Sequence, residues 1–540
     1  MQRRHGDTIY LIPGRGTVST ASAGPGAAPA APPTMIETLA GPAPPIVLSG
    51  GIMARLMLEG APPALFPEAA LQELAGVMLD IPSQRVPERP LDPLEKPELD
   101  SDGLAAGYTY LGQFINHDLT FNPAAGKPQE QFTAAEIEQA SRPSLDLGCL
   151  YGAHPRKLCY EQLCGDSFPL MRIGATQGTL GLDSSNTDFS RDNDLPRVGG
   201  TRKALLADER NDDNLALAQT HVAFLRFHNE AVALIRNKRP GLTAEELYNA
   251  AYKEAVLCYQ RIILRDFLPQ LVDAETYGEV LSGPPRFFKV EALADLYLPL
   301  EFAGAAFRAP HSMVRNTYFW NRILQPHDSP VATGDIARLH ELFEFTGNGK
   351  MRGFDRLPTT WIIDWRRFYD FTGVAAGPLP HVNVARRIDT RIAFFLSIMP
   401  HAKDGQVLKV NLSLLDLLAG NKLNLPSGQE VAHRLGVPHP LTPAEIAAGD
   451  DGAVLRKHGM DELTPLWPYL LKEAELRAGG SRLGPAGGRI VAESLYGIIK
   501  WSRPYSILNG DEGEPEFAGI SRMADFLNFA LGQDVNPLGV

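Results

Sequence analysis

The chain is poor in the features that mark several large classes of protein. It has only four cysteines in 540 residues, Cys149, Cys159, Cys164 and Cys258. Cys159 and Cys164 are close enough in sequence to pair. The set is nevertheless too sparse for a disulfide framework, its spacing is not that of a zinc site, and buried thiols are the simpler expectation. No run approaches the roughly 18 apolar residues of a membrane span. The apolar run at residues 9–13 follows a basic start but is too short for the core of a secretory signal, so the chain reads as cytoplasmic. Positive charge is not in excess: 51 Lys and Arg stand against 63 Asp and Glu, a net charge of −12. The densest basic cluster, Arg191, Arg197, Arg202 and Lys203, is interrupted by Asp192, Asp194 and Asp208. Neither a nucleic acid nor an anionic membrane surface is an expected partner. Clearly alternating strands are few, and no internal repeat is visible.

What remains is an ordinary globular composition, 44% hydrophobic and 21% charged. Residues 1–45 are rich in Ala, Pro and Gly from position 14 onward and read as a flexible arm rather than a packed element. Residues 46–104 read as a wrapping segment, with a proline-rich acidic stretch at 82–102. Residues 105–540 read as one large domain of packed helices with long loops and little β structure. Its strongest helical pattern is 214–235, where Leu217, Phe224 and Leu225 recur at helical spacing. Thr243 and Glu246 form a capping box that opens a second long helix running through Leu264. Residues 335–345, 390–399 and 461–478 also read as helices, and 413–420 as a helix closed by a C-cap glycine.

Four segments carry polar chemistry. The run Leu111-Gly112-Gln113-Phe114-Ile115-Asn116-His117-Asp118-Leu119 places Gln113 and His117 four apart, on one face of a helix anchored by apolar neighbours. Buried polar groups are costly without partners or a task, and this run alone fits either a satisfied core helix or a working one. The second segment, Asp208-Glu209-Arg210-Asn211-Asp212-Asp213-Asn214, concentrates charge before the 214–235 helix, where a helix start tolerates acids. The third, 301–315, sets His311 among small and apolar residues, with Arg308 three positions earlier. The fourth, 412–429, ends in Leu425-Pro426-Ser427-Gly428-Gln429.

In this order the four segments resemble the animal-type haem peroxidases of the peroxidase–cyclooxygenase superfamily, in particular their bacterial members, over residues 105–506. The resemblance implies a haem held by His311 as the proximal iron ligand. It makes His117 the distal acid–base group that takes a proton from H₂O₂ and returns it to the leaving oxygen. Arg210 would stabilise the negative charge that develops, and Gln113 would position peroxide or water. Electrons would then come from a small organic donor.

Departures from the family pattern refine these expectations. The family often attaches haem through esters from two acidic residues; here those positions are Asn116, which cannot form one, and Asp213, which can. Haem b or a singly ester-linked haem is therefore expected. Asn214 stands where halide-oxidising members carry a haem-bonded Met, so a weaker oxidant than the chloride-oxidising relatives is implied. The usual Asn partner of the proximal His is replaced by Asp416, which would make the imidazole more basic. Ala419 replaces an Arg that faces a haem propionate, a role left to Arg308 or Lys422. Asp118, Asp146 and Ser144 match part of the family's calcium site. The position of the cyclooxygenase radical Tyr is Arg308, which argues against that mechanism. Two alternatives remain: a haem dioxygenase or oxygenase on the same fold, and a binding or adhesion module that has lost catalysis.

Overall fold

Amphipathic periods and end signals place the main helices of the computed structural model at α1 (Glu68–Val77), α2 (Gly107–Leu119), α3 (Leu215–Lys238), α4 (Ala244–Ile262), α5 (Leu412–Leu423), α6 (Leu466–Ala478), α7 (Pro485–Trp501) and α8 (Met523–Leu531). The structure describes residues 8–12, 15–19, 52–80, 100–122, 142–152, 160–178, 190–325, 336–375, 378–403, 406–509, 516–517 and 519–538. Among them, no helix is long and apolar enough to cross a membrane. The fold is mainly helical with little strand, as expected.

The core that sets the site is aromatic. Phe114 of α2 stacks on Phe224 of α3 at 4.6 Å, and Tyr259 of α4 meets both rings edge-on. Phe526 of α8 closes the column against Phe224 and Phe227 at 4.5 and 4.3 Å. These helices place large apolar surfaces on one face, and burial of such side chains contributes roughly 1.5–3 kcal/mol each. Side-chain bonds define their ends: Asn214 Oδ1 accepts from Leu217 N–H to start α3, and Thr243 and Glu246 form the capping box of α4.

Several sequence expectations are corrected by tertiary contacts. Residues 9–19, read as the start of an unpacked arm, include β1 (Ile9–Ile12) and β2 (Gly16–Ser19), an antiparallel pair. Strand β1 also runs parallel to β3 (Ile52–Arg55), and β3 to β5 (Leu298–Pro299), giving a small sheet in the order β2-β1-β3-β5. A second pair joins β4 (Asp100–Ala105), which leads into α2, to β6 (Val384–Arg386). The remainder of the arm and the stretch 82–99 lie outside the described residues.

Residues 390–399 form no α-helix. Ile392 pairs with Leu79 and only the short turn Phe394–Ser397 is helical, because the Asp389 carboxylate takes the Arg391 N–H and holds the chain out of helical register. Helix α5 runs through Gly420 and stops at Asn424, which adopts φ 57°. Helix α6 starts after Pro465 rather than at 461. The 335–345 reading shrinks to Leu339–Glu344 because Ala337–Arg338 pairs with Thr317–Tyr318. The second long helix ends at Ile262 and continues as a π turn, Ile263–Phe267. Cys149, Cys164 and Cys258 are buried thiols, while Cys159 is outside the described residues.

Helix α2 is docked at its first residue. Gly107 N–H donates to Phe368 O, Tyr369 Oη–H donates to Gly107 O, and a Cβ at Gly107 would lie 2.4 Å from both Phe368 O and the Tyr369 ring. Gly76 in α1 faces open space. Gly107→Ala is expected to destabilise the chain by about 1–3 kcal/mol through overpacking. Gly76→Ala should be neutral or stabilising by about 0.5–1 kcal/mol. Urea unfolding midpoints of the two variants measure the contrast, and equal midpoints would rule out the close docking of α2.

Candidate haem site

The segment around His311 is two short pieces. Leu300–Gly304 is α-helical, Ala305 turns out at φ −144°, and Ala306–His311 continues as a 3₁₀ turn containing Pro310. Proline lacks the N–H a continuous helix would use, and its ring crowds the preceding turn. This turn packs against α2, where a Cβ on Gly112 would sit 3.8 Å from the Pro310 ring. The helix carrying His117 and the turn carrying His311 thus meet, although 194 residues separate the two rings in sequence.

On the proximal side, His311 Nδ1 donates to Asp416 Oδ2 at 2.5 Å, and Asp416 Oδ1 accepts from Arg308 Nη1 at 2.6 Å. Asp416 is fully buried on α5. Arg308 Nε also donates to Ala303 O. The sequence-derived pairing of Asp416 with His311 therefore exists in the fold. Arg308, considered above for a propionate, is instead committed to Asp416, and Lys422 has Glu68 as its charged neighbour. A further contact was not foreseen. Tyr10 of β1 is buried with its hydroxyl in hydrogen-bonding reach of Arg308, and it lies close enough to Arg210 to feel that charge. Burial pushes the Tyr10 phenol up, with Arg308 pulling the other way.

On the distal side, Arg210 sits on the 3₁₀ turn Glu209–Asp212 that precedes α3, not on the helix itself. It is buried, and among the described residues four of its five N–H donors are engaged. Nε and Nη2 grip Asp208 at 3.0 and 2.6 Å, Nη1 donates to Thr120 Oγ1, and Nη2 also donates to His117 O. Burial alone would raise Asp208, but the Arg210 charge and hydrogen bonds bring it below the ordinary carboxylate value. Asp213 is near enough to add to the field on Arg210. His117 is fully buried, with Nδ1 2.9 Å from Asn211 Oδ1. Burial first, and then the Arg210 charge, lower its pKa to about 3, so the ring is neutral. Gln113 is half-buried, and its Oε1 accepts from Asn214 Nδ2 at 2.9 Å. Asn116 is half-buried on the same helix.

Asp118 points away from His117 into the 142–152 loop, where its two oxygens accept Leu147 N–H and Cys149 N–H at 3.0 and 3.1 Å. Burial and the neighbouring Asp146 raise it well above the ordinary carboxylate range. Ser144 Oγ is buried and has no hydrogen-bond partner among the described residues. No group of three or more His, Cys, Asp or Glu among the described residues is arranged to hold a metal ion.

Asp416 is thus the group on which both His311 and Arg308 depend. Asp416→Leu is expected to cost about 3–5 kcal/mol by leaving the Arg308 charge buried without its partner. Asp416→Asn, which keeps a hydrogen-bonding side chain, should cost less. Urea unfolding of the haem-free chain measures both, and a Leu variant as stable as the parent would show that this ion pair does not hold the turn.

Residues 143–357 match the family model described as animal haem peroxidase, a span that contains Arg210, Asp213, Arg308 and His311 but not His117 or Asp416. A peroxidasin homologue of Caenorhabditis elegans is 23% identical over 318 residues, 58% of this chain and 22% of that relative. Human lactoperoxidase is 24% identical over 243 residues, 40% of this chain and 34% of the relative. The chain therefore spans about a fifth to a third of the length of these curated relatives. Among solved structures, peroxidase A of Dictyostelium discoideum superposes with a TM-score of 0.55 at 15% identity, covering 89% of this chain and 93% of that one. A fatty acid alpha-dioxygenase of Oryza sativa superposes with a TM-score of 0.57 at 14% identity, covering 88% of this chain and 80% of that one. The sequence match to the animal haem peroxidase model thus lies in residues 143–357, and the fold shared with these solved structures extends along most of the chain.

Proposed function

We propose that the chain is a haem-dependent peroxidase that reduces H₂O₂ and oxidises small organic donors. The observation that supports it most is the pair of buried or half-buried imidazoles whose Nδ1 atoms both donate to side-chain oxygens, His117 to Asn211 and His311 to Asp416. In each ring the lone pair is then on Nε2. On the proximal side such a nitrogen, backed by a carboxylate, suits ligation of a haem iron. On the distal side it suits acceptance of a proton. The donor set therefore fits haem, held by His311, with Asp213 the carboxylate at one of the family's two ester positions and Asn116, at the other, unable to form a second.

When bound, haem supplies the redox change: two electrons to peroxide, restored from donors. The chain's own residues supply the rest. His117, neutral because it is buried, takes the peroxide proton on Nε2 and returns it to the departing oxygen. Arg210 adds a fixed positive charge in a dry setting; its grip on Asp208 and His117 O holds it in place at the cost of partly neutralising it. Gln113, anchored by Asn214, orients peroxide or water. Asp416 makes His311 a stronger donor.

His311→Ala is expected to abolish stable haem binding. His117→Ala should retain haem and slow its reaction with peroxide by roughly 10²–10⁴-fold. Haem titration and stopped-flow mixing with H₂O₂ separate the two, and identical behaviour of both variants overturns the assigned roles. Turnover that requires O₂ and not H₂O₂ would favour oxygenation on the same fold, and a full-length chain that binds no haem would favour a binding module.

We further propose that Asp118, Asp146 and Ser144 contribute to a calcium site. The buried Asp118 carboxylate, the half-buried Asp146 near enough to raise it, and an unsatisfied buried hydroxyl support this reading, with backbone carbonyls and water completing the six to eight oxygens the ion takes. Calcium at 100 times its Kd should stabilise the chain by about 2.7 kcal/mol at pH 7. The gain should shrink at lower pH, because the raised pKa of Asp118 lets protons compete. Thermal unfolding in Ca²⁺ and in a chelator measures this, and coincident curves at pH 7 would exclude the site.

A further inference from the structure

His117 does not end its polar contacts at Asn211. Asn211 Nδ2 lies 3.0 Å from His221 Nδ1, so an unbroken row runs from His117 through one amide to His221. All three side chains are buried, between α2, the 3₁₀ turn of Arg210 and α3. The turn itself places the amide, with Asn211 N–H donating to Asp208 O two residues before Arg210. His221 is wedged against the edge of Phe114.

The chemistry of an amide gives this row a direction. Its nitrogen carries two hydrogens and accepts nothing; its oxygen only accepts. With Nδ2 toward His221, that ring must present a lone pair at Nδ1 and carry its proton on Nε2. Burial holds His221 neutral, its pKa lowered to about 3, which agrees with an accepting Nδ1. The buried Cys149 also lies beside the Asn211 side chain. The oxygen then faces His117, which must carry its proton on Nδ1 and its lone pair on Nε2. Were the amide turned over, both rings would reverse, and His117 would present a proton where peroxide must deliver one. The Nε2–H form is also the one that dominates a histidine side chain free in water, so the observed arrangement has to be imposed.

We propose that Asn211, oriented by His221, is a positioning residue that fixes His117 in the Nδ1–H tautomer and so presents Nε2 as the proton acceptor. The inference rests on the role given to His117 above. Other charged groups around His117 are Arg210 and Asp208 at the turn, with Asp118 next to it on α2, while its Nδ1 meets Asn211 Oδ1.

The test uses the full chain labelled with ¹⁵N-histidine, with and without haem in its diamagnetic ferrous carbonyl form. Long-range ¹⁵N–¹H correlation reports which ring nitrogen bears the proton, and His117→Gln identifies the signal of residue 117. The parent should show Nδ1–H at residue 117 and Nε2–H at residue 221. Asn211→Leu should move residue 117 toward Nε2–H, leave haem binding unchanged and slow the reaction with peroxide by roughly 10–100-fold. Asn211→Asp, which can still accept from His117, should keep Nδ1–H there and restore most of the rate. His221→Phe, which removes the acceptor that orients the amide, should give a mixture at residue 117, and it serves if the Leu variant does not fold. Nε2–H at residue 117 in the parent, or a tautomer indifferent to residues 211 and 221, overturns the inference. If instead the tautomers behave as stated but His117→Gln reacts with peroxide at the parental rate, the peroxidase role of His117 fails and the relay stands.

Discussion

Burial of ionisable groups is the constraint on which the site depends. An isolated charge or an unpaired imidazole nitrogen inside a protein is costly, so each one must be met by a partner of the right polarity. Arg210 is met by Asp208, Thr120 and the His117 carbonyl; Arg308 and His311 are both met by Asp416; His117 is met by Asn211. Each partner also fixes an orientation. The network that makes these groups tolerable in the interior is the same one that sets which nitrogen of each ring is available for chemistry.

Helix α2 transmits this constraint across the molecule. Its first residue is pinned by Phe368 and Tyr369, its middle is stacked into the aromatic column at Phe114, and its last turn gives His117 O to Arg210 and the Asp118 carboxylate to the 142–152 loop. Adjacent residues on a helix point about 100° apart. His117 can therefore face Asn211 while Asp118 faces Asp146, and one short helix serves both the proposed proton-transfer site and the proposed cation site. The proximal side is less regular. Pro310 and the extended Ala305 break the segment into a short helix and a tight turn, and α5 supplies the Asp416 carboxylate that holds the turn.

Much of this was legible in the chain. Thr243 and Glu246, the period of Leu217, Phe224 and Leu225, and the polar quartet inside an apolar run each follow from local chemistry. The helices they announced are present at α4, α3 and α2. Asp416 was reachable as a partner of His311 only through family resemblance, since 105 residues separate them. Residues 390–399 and 413–420 were misjudged where a neighbour decides: Ile392 pairs with Leu79, and Gly420 lies within α5 rather than capping it. Asn211 and His221 stood in plain view beside Arg210 and along α3, yet nothing in their spacing says that one amide bridges two rings.

By itself the sequence determined the helical class, the starts of α3 and α4, the absence of a long apolar span and the residue types that can serve a haem. These are properties of a few consecutive side chains, set by propensity, capping and periodicity. Only the tertiary structure decided that Tyr10 reaches Arg308, that Asp416 serves Arg308 and His311 at once, and which way the Asn211 amide points. Hydrogen-bond direction is fixed by which atoms meet in the interior, and that depends on the packing of elements from distant parts of the chain.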